Sequence, residues 1–490
     1  MTAYVDLMAH DRQTRALAQV AGRLSWDQET MMPRGASEQR SEEQGAMAAI
    51  LHARRTDPRV GDWISAAQPE DAVAEAKLRN IKRDYERELK VPAELATALA
   101  RLTSKSQGIW ADARASDDVA LFLPVLKEVV DLSREYAEAV AGDNQTPYDA
   151  LVENYELGIT ADELHEMFDH MRPGLVALRE RALGASPAPK ISGQFDADTQ
   201  IALANDIAAR FGYDTTRGRL DLAVHPFSSG SGDDVRITTR IAEDDPFNCI
   251  YSTIHETGHA CYEQGIDPAY RMTALGSGVS MGVHESQSRI YENQLGRSRA
   301  YCGWLYGQMR DRFGDIGVAD EDAFYRAVNR VHRGYIRTEA DEVQYNLHIM
   351  LRFDLERALV AGDLDVKDLE AAWNDRFEAD FGYAVDKPSN GVLQDVHWSV
   401  GLFGYFPTYS LGNVYAGCLY KALSAQVNDL HGSLAEGDPT PATTWLRDNL
   451  QTHGGLRTPK ETITHACGEA PTSAPLMAYL DEKFTALYPG

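Results

Sequence analysis

Helical periodicity runs through most of this chain and limits its fold more than any other feature. From Ala72 to Leu89, charged residues alternate with apolar ones spaced three and four apart, which places one apolar stripe along a helix. The same spacing predicts helices over 93–113, 119–141, 161–183, 198–210, 318–333, 338–360 and 366–380. Gly212 and Gly362 follow the last periodic residue of two of these, where a left-handed residue closes a helix. Val235–Ile241 alternates instead with a period of two. Val235, Ile237, Thr239 and Ile241 share one face of that strand, and Arg236, Thr238 and Arg240 the other. The Ser, Gly and Asp residues of 228–234 read as a turn, so the strand is expected to form a short hairpin with roughly 219–225. The fold class is mainly α, with a small β-sheet.

At 490 residues such a chain buries a sizeable core without disulfides or metal staples. Its net charge of −26 repels phosphate backbones and anionic bilayers, so neither nucleic acid nor membrane is an expected partner. No stretch approaches the roughly 18 apolar residues that a spanning helix needs. Cys249, Cys261, Cys302, Cys418 and Cys467 are odd in number and form no C-x-x-C pair, which reads as reduced thiols. The N-terminal residues carry no basic segment followed by an apolar one, so the expected location is cytoplasmic.

The chemistry concentrates in His255-Glu256-Thr257-Gly258-His259. Asp245 and Pro246 suit a helix N-cap and first position, and Gly265 suits the residue after a helix end, so 246–264 is predicted helical. Positions i and i+4 share a helix face, which lets His255 and His259 offer imidazoles to one ion. Neutral imidazole suits zinc, whose catalytic sites keep one position open for water. Glu256 stands beside the first ligand and can reach that water as general base without binding the ion. A third ligand is needed, and no His-x-x-Gly-x-x-His continuation supplies it. Glu285, opening an apparent helix toward Gly296, would complete a His₂Glu set; Glu292 is a rival, and Glu263 lies too close on the same helix. Spacing alone leaves the choice open.

Other words along the chain form a wider pattern. They are Trp26-Asp27-Gln28-Glu29-Thr30-Met31-Met32-Pro33, His225-Pro226-Phe227 and Asp234-Val235-Arg236-Ile237-Thr238. After the histidine motif come His284-Glu285-Ser286-Gln287, Ile336-Arg337-Thr338-Glu339-Ala340-Asp341 and Gly391-Val392-Leu393-Gln394-Asp395-Val396-His397-Trp398. Together they resemble the carboxypeptidase Taq family of zinc metallocarboxypeptidases over essentially the full length. Tyr155-Glu156-Leu157-Gly158 departs from the pattern, since relatives more often carry Pro before that glycine. The resemblance implies Glu285 as third ligand and a large helical peptidase fold like those of neurolysin and the angiotensin-converting enzymes, with a deep groove. It also implies zinc, replaceable by cobalt, and a homodimer. The implied activity is release of single C-terminal residues, broad in side chain and poor on proline. The chain is then expected to be one peptidase unit over 1–490. Its N-terminal helical part, 1–190, would meet a metal-binding catalytic part, 191–490, near the proline-containing segment 184–192.

A carboxypeptidase must also hold a terminal carboxylate, and arginine's planar fork suits that task. Arg337, expected at the start of a long helix, is the first candidate; the competing reading is an ion pair with Asp341 one turn on. Arg236 is the second, against a reading as an exposed strand cation. His397 offers a hydrogen bond to substrate, and Tyr409, in the aromatic run 404–409, an oxyanion donor. Each of these two also suits a structural role, and His225 suits a supporting one. Peptides with a free C-terminus are the expected substrates. A zinc oligopeptidase or dipeptidyl peptidase of the same fold is the nearest alternative. A binding protein with a vestigial motif is disfavoured by Glu256, because holding an ion needs the ligands but not the base.

Overall fold

The computed structural model describes residues 2–489. Four helices open the chain: α1 (Ala3–Thr30), α2 (Ser37–Arg55), α3 (Pro58–Ala66) and α4 (Ala72–Lys90). They lead to α5 (Ala93–Ser116), α6 (Val119–Val140), α7 (Pro147–Val152), α8 (Ala161–Gly184) and α9 (Ala197–Arg210). Three short strands follow, β1 (Leu220–Leu222), β2 (Ser228–Ser231) and β3 (Asp234–Thr239). Next come α10 (Pro246–Gly265), α11 (Met281–Arg289), α12 (Arg299–Phe313), α13 (Glu321–Val328), α14 (Glu342–Ala361) and α15 (Leu369–Phe381). The chain closes with α16 (Pro407–Gln426), α17 (Leu430–Ala435), α18 (Thr440–Asn449), α19 (Pro459–Cys467) and α20 (Ala474–Leu487).

The expected helices form wherever the apolar stripe and the ends agree. Asp245 accepts the Phe247 N–H and Pro246 takes the first turn of α10, though Gly265 is its last residue rather than the first beyond it. Gly362 closes α14 with φ 85°. Two of the expected helices have different bounds. The helix placed over 318–333 is only Glu321–Val328, because side chains capture the backbone beyond it. The Tyr488 hydroxyl accepts the Val331 N–H at 2.8 Å, and the Gln344 amide donates to the His332 carbonyl at 2.8 Å. The helix placed over 338–360 begins at Glu342, since Asp341 accepts the N–H groups of Val343 and Gln344 as its N-cap. Arg337 therefore lies in a separate 3₁₀ turn, Arg337–Glu339.

The sheet order is β1-β3-β2. β1 runs parallel to β3, with Leu220 opposite Ile237, and β2 is antiparallel, with Ser229 opposite Arg236. The expected hairpin with 219–225 does not form; the serine-rich segment read as a turn is itself the hairpin strand. An edge strand this short needs no apolar face, so composition hid it. Val235 and Ile237 are fully buried against α10, as the alternation required.

One hydrophobic core runs from Ala113 to Tyr488 and crosses the 184–192 segment, with Phe168 of α8 edge-on to Phe353 of α14 at 5.1 Å. A second, small core of Leu7, Val60, Ile81 and Ala274 lies beneath the N-terminal helices.

Candidate metal centre

Two glycines let three helices meet at the site. A side chain at Gly258 of α10 would come within 2.4 Å of the Gln287 carbonyl of α11. A side chain at Gly412 of α16 would lie 2.6 Å from the Glu285 Cβ. The close crossings bring His255, His259 and Glu285 together, with one donor atom of each within 4.8 Å of the others. Glu285 Oε2 is 3.4 Å from His259 Nε2 and 3.7 Å from His255 Nε2. Arg289 Nε donates to Glu285 Oε1 at 2.6 Å, and the Ser288 hydroxyl donates to Oε2 at 3.0 Å. Two imidazole nitrogens and one carboxylate oxygen form a donor set that suits zinc or a similar divalent ion and leaves room for another ligand.

The residues behind the donors fit a cation. His255 Nδ1 lies 2.9 Å from Glu292 Oε2, and Arg289 and Arg297 donate to Glu292 in turn. Burial opposes the Glu292 charge, but the His255 hydrogen bond and the two arginines pull its pKa down to about 2. Burial also opposes protonation of His255, yet the Glu285 charge and the Glu292 hydrogen bond raise its pKa above the ordinary value. The pocket thus attracts positive charge, which a divalent ion supplies while the imidazole stays neutral. His259 is lowered to about 4 by burial. Its Nδ1 lies 2.7 Å from His284 Nδ1, and His284 Nε2 lies 2.8 Å from Glu263 Oε1. Glu256 is buried beside His255, and burial pushes its carboxyl up to about 7.

The profile of one protein family, described as carboxypeptidase Taq (M32) metallopeptidase, matches residues 6–484. The chain belongs to the carboxypeptidase Taq family. It is 40% identical to thermostable carboxypeptidase 1 of Thermus thermophilus, covering 99% of each chain. It is 34% identical to carboxypeptidase 1 of Bacillus subtilis, over 95% of this chain and 94% of the relative. The crystal structure of the M32 carboxypeptidase of Deinococcus radiodurans R1 superposes with a TM-score of 0.95 at 37% identity, covering all of both chains. Metallocarboxypeptidase 1 of Trypanosoma cruzi superposes equally well, TM-score 0.95, at 32% identity over 100% of this chain and 99% of that one. This carboxypeptidase Taq protein is therefore a metallocarboxypeptidase, a hydrolase of peptide bonds, with the helical fold and small sheet of its family. Among its described residues no helix is long and apolar enough to cross a membrane.

In this M32 carboxypeptidase a second group of candidate residues gathers one aromatic ring away from Glu285. Tyr345 lies between Arg289, 4.1 Å from its ring centroid, and Arg337, 5.9 Å from it. Arg337 is buried, and its partner is Asp395, not Asp341: Nη2 donates to Asp395 Oδ1 at 2.7 Å and Nε at 3.2 Å. Arg352 Nε donates to the other Asp395 oxygen at 2.7 Å. Arg337 Nη1 remains beside the Tyr345 hydroxyl at 3.2 Å. Tyr409, on the first turn of α16, places its ring 5.1 Å from the Arg337 guanidinium, and the His397 ring lies 6.3 Å from Tyr409. A cavity of about 350 Å³ reaches Arg289, Glu292, Arg297 and Tyr345.

Arg236 stands apart from both groups. It pairs with Asp234 at 2.7 Å, stacks on Trp26 at 4.5 Å and lines, with Glu263, a cleft between α1 and the sheet. His225 is exposed on the β1–β2 connection. The supporting residues His284, Glu263 and Asp395 were not singled out from sequence for these roles. His284 adjoins Glu285 in the same motif, a signal that was available; Asp395 lies 58 residues from Arg337, beyond any local spacing rule.

Proposed function

We propose that the chain releases single residues from the free C-terminus of peptides, using zinc, or cobalt in its place, held by His255, His259 and Glu285. The convergence of these three donor atoms within 4.8 Å, with Glu256 buried beside them on the same helix, carries the reading. A bound divalent ion would polarise the scissile carbonyl and lower the pKa of a water at the site. Glu256, raised to about 7, suits a base that takes a proton near neutrality and returns it to the leaving amine. Arg337 receives the terminal carboxylate. Because Asp395 takes its Nε and one Nη, that contact runs end-on through Nη1 beside Tyr345. His397 and Tyr409 offer N–H and O–H groups from the same cluster, and Arg236 with Trp26 supports the peptide farther along, at the sheet.

Broad tolerance is proposed for the leaving side chain, with C-terminal proline a poor substrate because its tertiary amide has no N–H to donate. We further propose that 1–490 works as one peptidase unit, with the part 191–490 carrying the metal, and that two copies associate. All five cysteines are free thiols, which supports a cytoplasmic location.

An unblocked peptide followed by mass spectrometry tests the activity. The expected result is stepwise loss of C-terminal residues, stopped by a chelator, restored by zinc or cobalt, and absent for the amidated peptide. Internal fragments from the amidated peptide would identify an oligopeptidase instead.

A further inference from the structure

We propose that Glu263 and His284 act as a two-step relay that fixes the tautomer of His259 and thereby sets the affinity of the centre for its ion. The inference rests on His259 being a ligand, as argued above, and concerns residues behind it.

Glu263 Oε1 accepts the Gly278 N–H at 2.8 Å and lies 2.8 Å from His284 Nε2. A carboxylate can only accept, so His284 carries its proton on Nε2, and in the neutral ring Nδ1 is left as a bare acceptor. That Nδ1 lies 2.7 Å from His259 Nδ1, a distance with room for one proton between the rings. The proton belongs to His259. Its lone pair is then on Nε2, the atom 3.4 Å from Glu285 Oε2 and turned toward the other donors. The opposite tautomer would put a proton where a ligand lone pair is needed.

The packing holds the relay in this sense. The His284 ring sits 4.9 Å from the Tyr262 ring, and a side chain at Gly278 would come within 2.5 Å of His284 Cδ2. The Gly278 backbone therefore both supports the ring and orients the carboxylate. The two metal histidines are backed differently. His255 meets a carboxylate directly, and two arginines offset that charge. His259 meets the His284 imidazole, with the Glu263 carboxyl one ring farther out. Glu263 Oε2 is buried with no hydrogen-bond partner among the described residues, so the contacts that orient the carboxyl are the two made by Oε1.

Zinc affinity measured by chelator competition on the stripped full-length protein tests the relay, with the melting temperature of each apo variant as a check of folding. Glu263→Ala and His284→Leu are expected to weaken zinc binding by about 10–100-fold, the usual effect of losing such a partner. Glu263→Gln is expected to stay within about threefold, because the Gly278 N–H still selects an oxygen for the shared position. Zinc binding by folded Glu263→Ala and His284→Leu as tight as in the wild type would overturn the relay. Nitrogen-15 spectra of histidine-labelled wild-type protein decide the matter even if those variants do not fold. His284 should show a protonated Nε2 and a bare Nδ1, and a proton on its Nδ1 overturns the proposal. Failure of the wild type to bind zinc would instead refute the ligand assignment and leave the tautomer reading to the spectra.

Discussion

At the scale of the residue, the proposed site separates groups that would bind from the group that would react. Glu256 touches none of the contacts that hold Glu285 or Glu292, so its replacement should leave the donor set intact. Glu256→Gln is expected to lower kcat by about 10²–10⁴-fold with zinc content unchanged, as removal of a general base does; near-normal turnover would rule out its role. The glycines make a different demand. Gly412→Ala places a methyl group 2.6 Å from the Glu285 Cβ, so α16 or Glu285 must move. A loss of about 1–3 kcal/mol, typical of overpacking, should appear in denaturant unfolding together with weaker zinc binding. His255, Glu256 and His259 were legible in the sequence because a helix fixes their spacing. Their contacts were not, because Glu292 and His284 reach the imidazoles only through the packing of α10 against α11 and its continuation, and Glu263 meets His284 rather than His259.

Elements show the same boundary between local and distant causes. α10 was readable from Asp245-Pro246 at its start, whereas the sheet was misread because β1 pairs directly with β3, the next strand but one in sequence, and β2 lacks apolar residues. The start of α14 was misplaced because Asp341 caps that helix instead of pairing with Arg337. One buried carboxylate ties three elements together. Glu156 accepts the Gly282 N–H in the first turn of α11 at 2.9 Å and the Tyr415 hydroxyl of α16 at 3.1 Å. Burial outweighs these donors and pushes its pKa from an ordinary 4.5 up to about 7. A carboxyl whose folded pKa is raised contributes stability that is full below about 4.5 and is lost as pH rises through about 7. The stability difference between wild type and Glu156→Gln should therefore fall by on the order of 3 kcal/mol across that window. Urea unfolding at a series of pH values measures it, and a pH-independent difference would contradict the assignment.

Across the whole molecule, burial is uneven. α14 is buried along most of its length and packs on α8, α15 and α16, whereas the buried residues of the long α1 are Leu7 and Trp26, and that of α2 is Leu51. Helices α1, α3 and α4 thus lean on the small core of Leu7, Val60, Ile81 and Ala274, with α2 packed on α1, while the candidate ligands stand on helices of the large one. Local opening free energy follows the apolar surface that an opening exposes. Backbone amides of α1–α3 are expected to exchange with deuterium orders of magnitude faster than those of α10 and α14, measured by mass spectrometry of peptides after timed labelling. Uniform protection across both sets would contradict this ordering. The small second core then sets a sequence of events: limited proteolysis would nick the N-terminal layer first, and the catalytic helices would outlast it as a separately cooperative block.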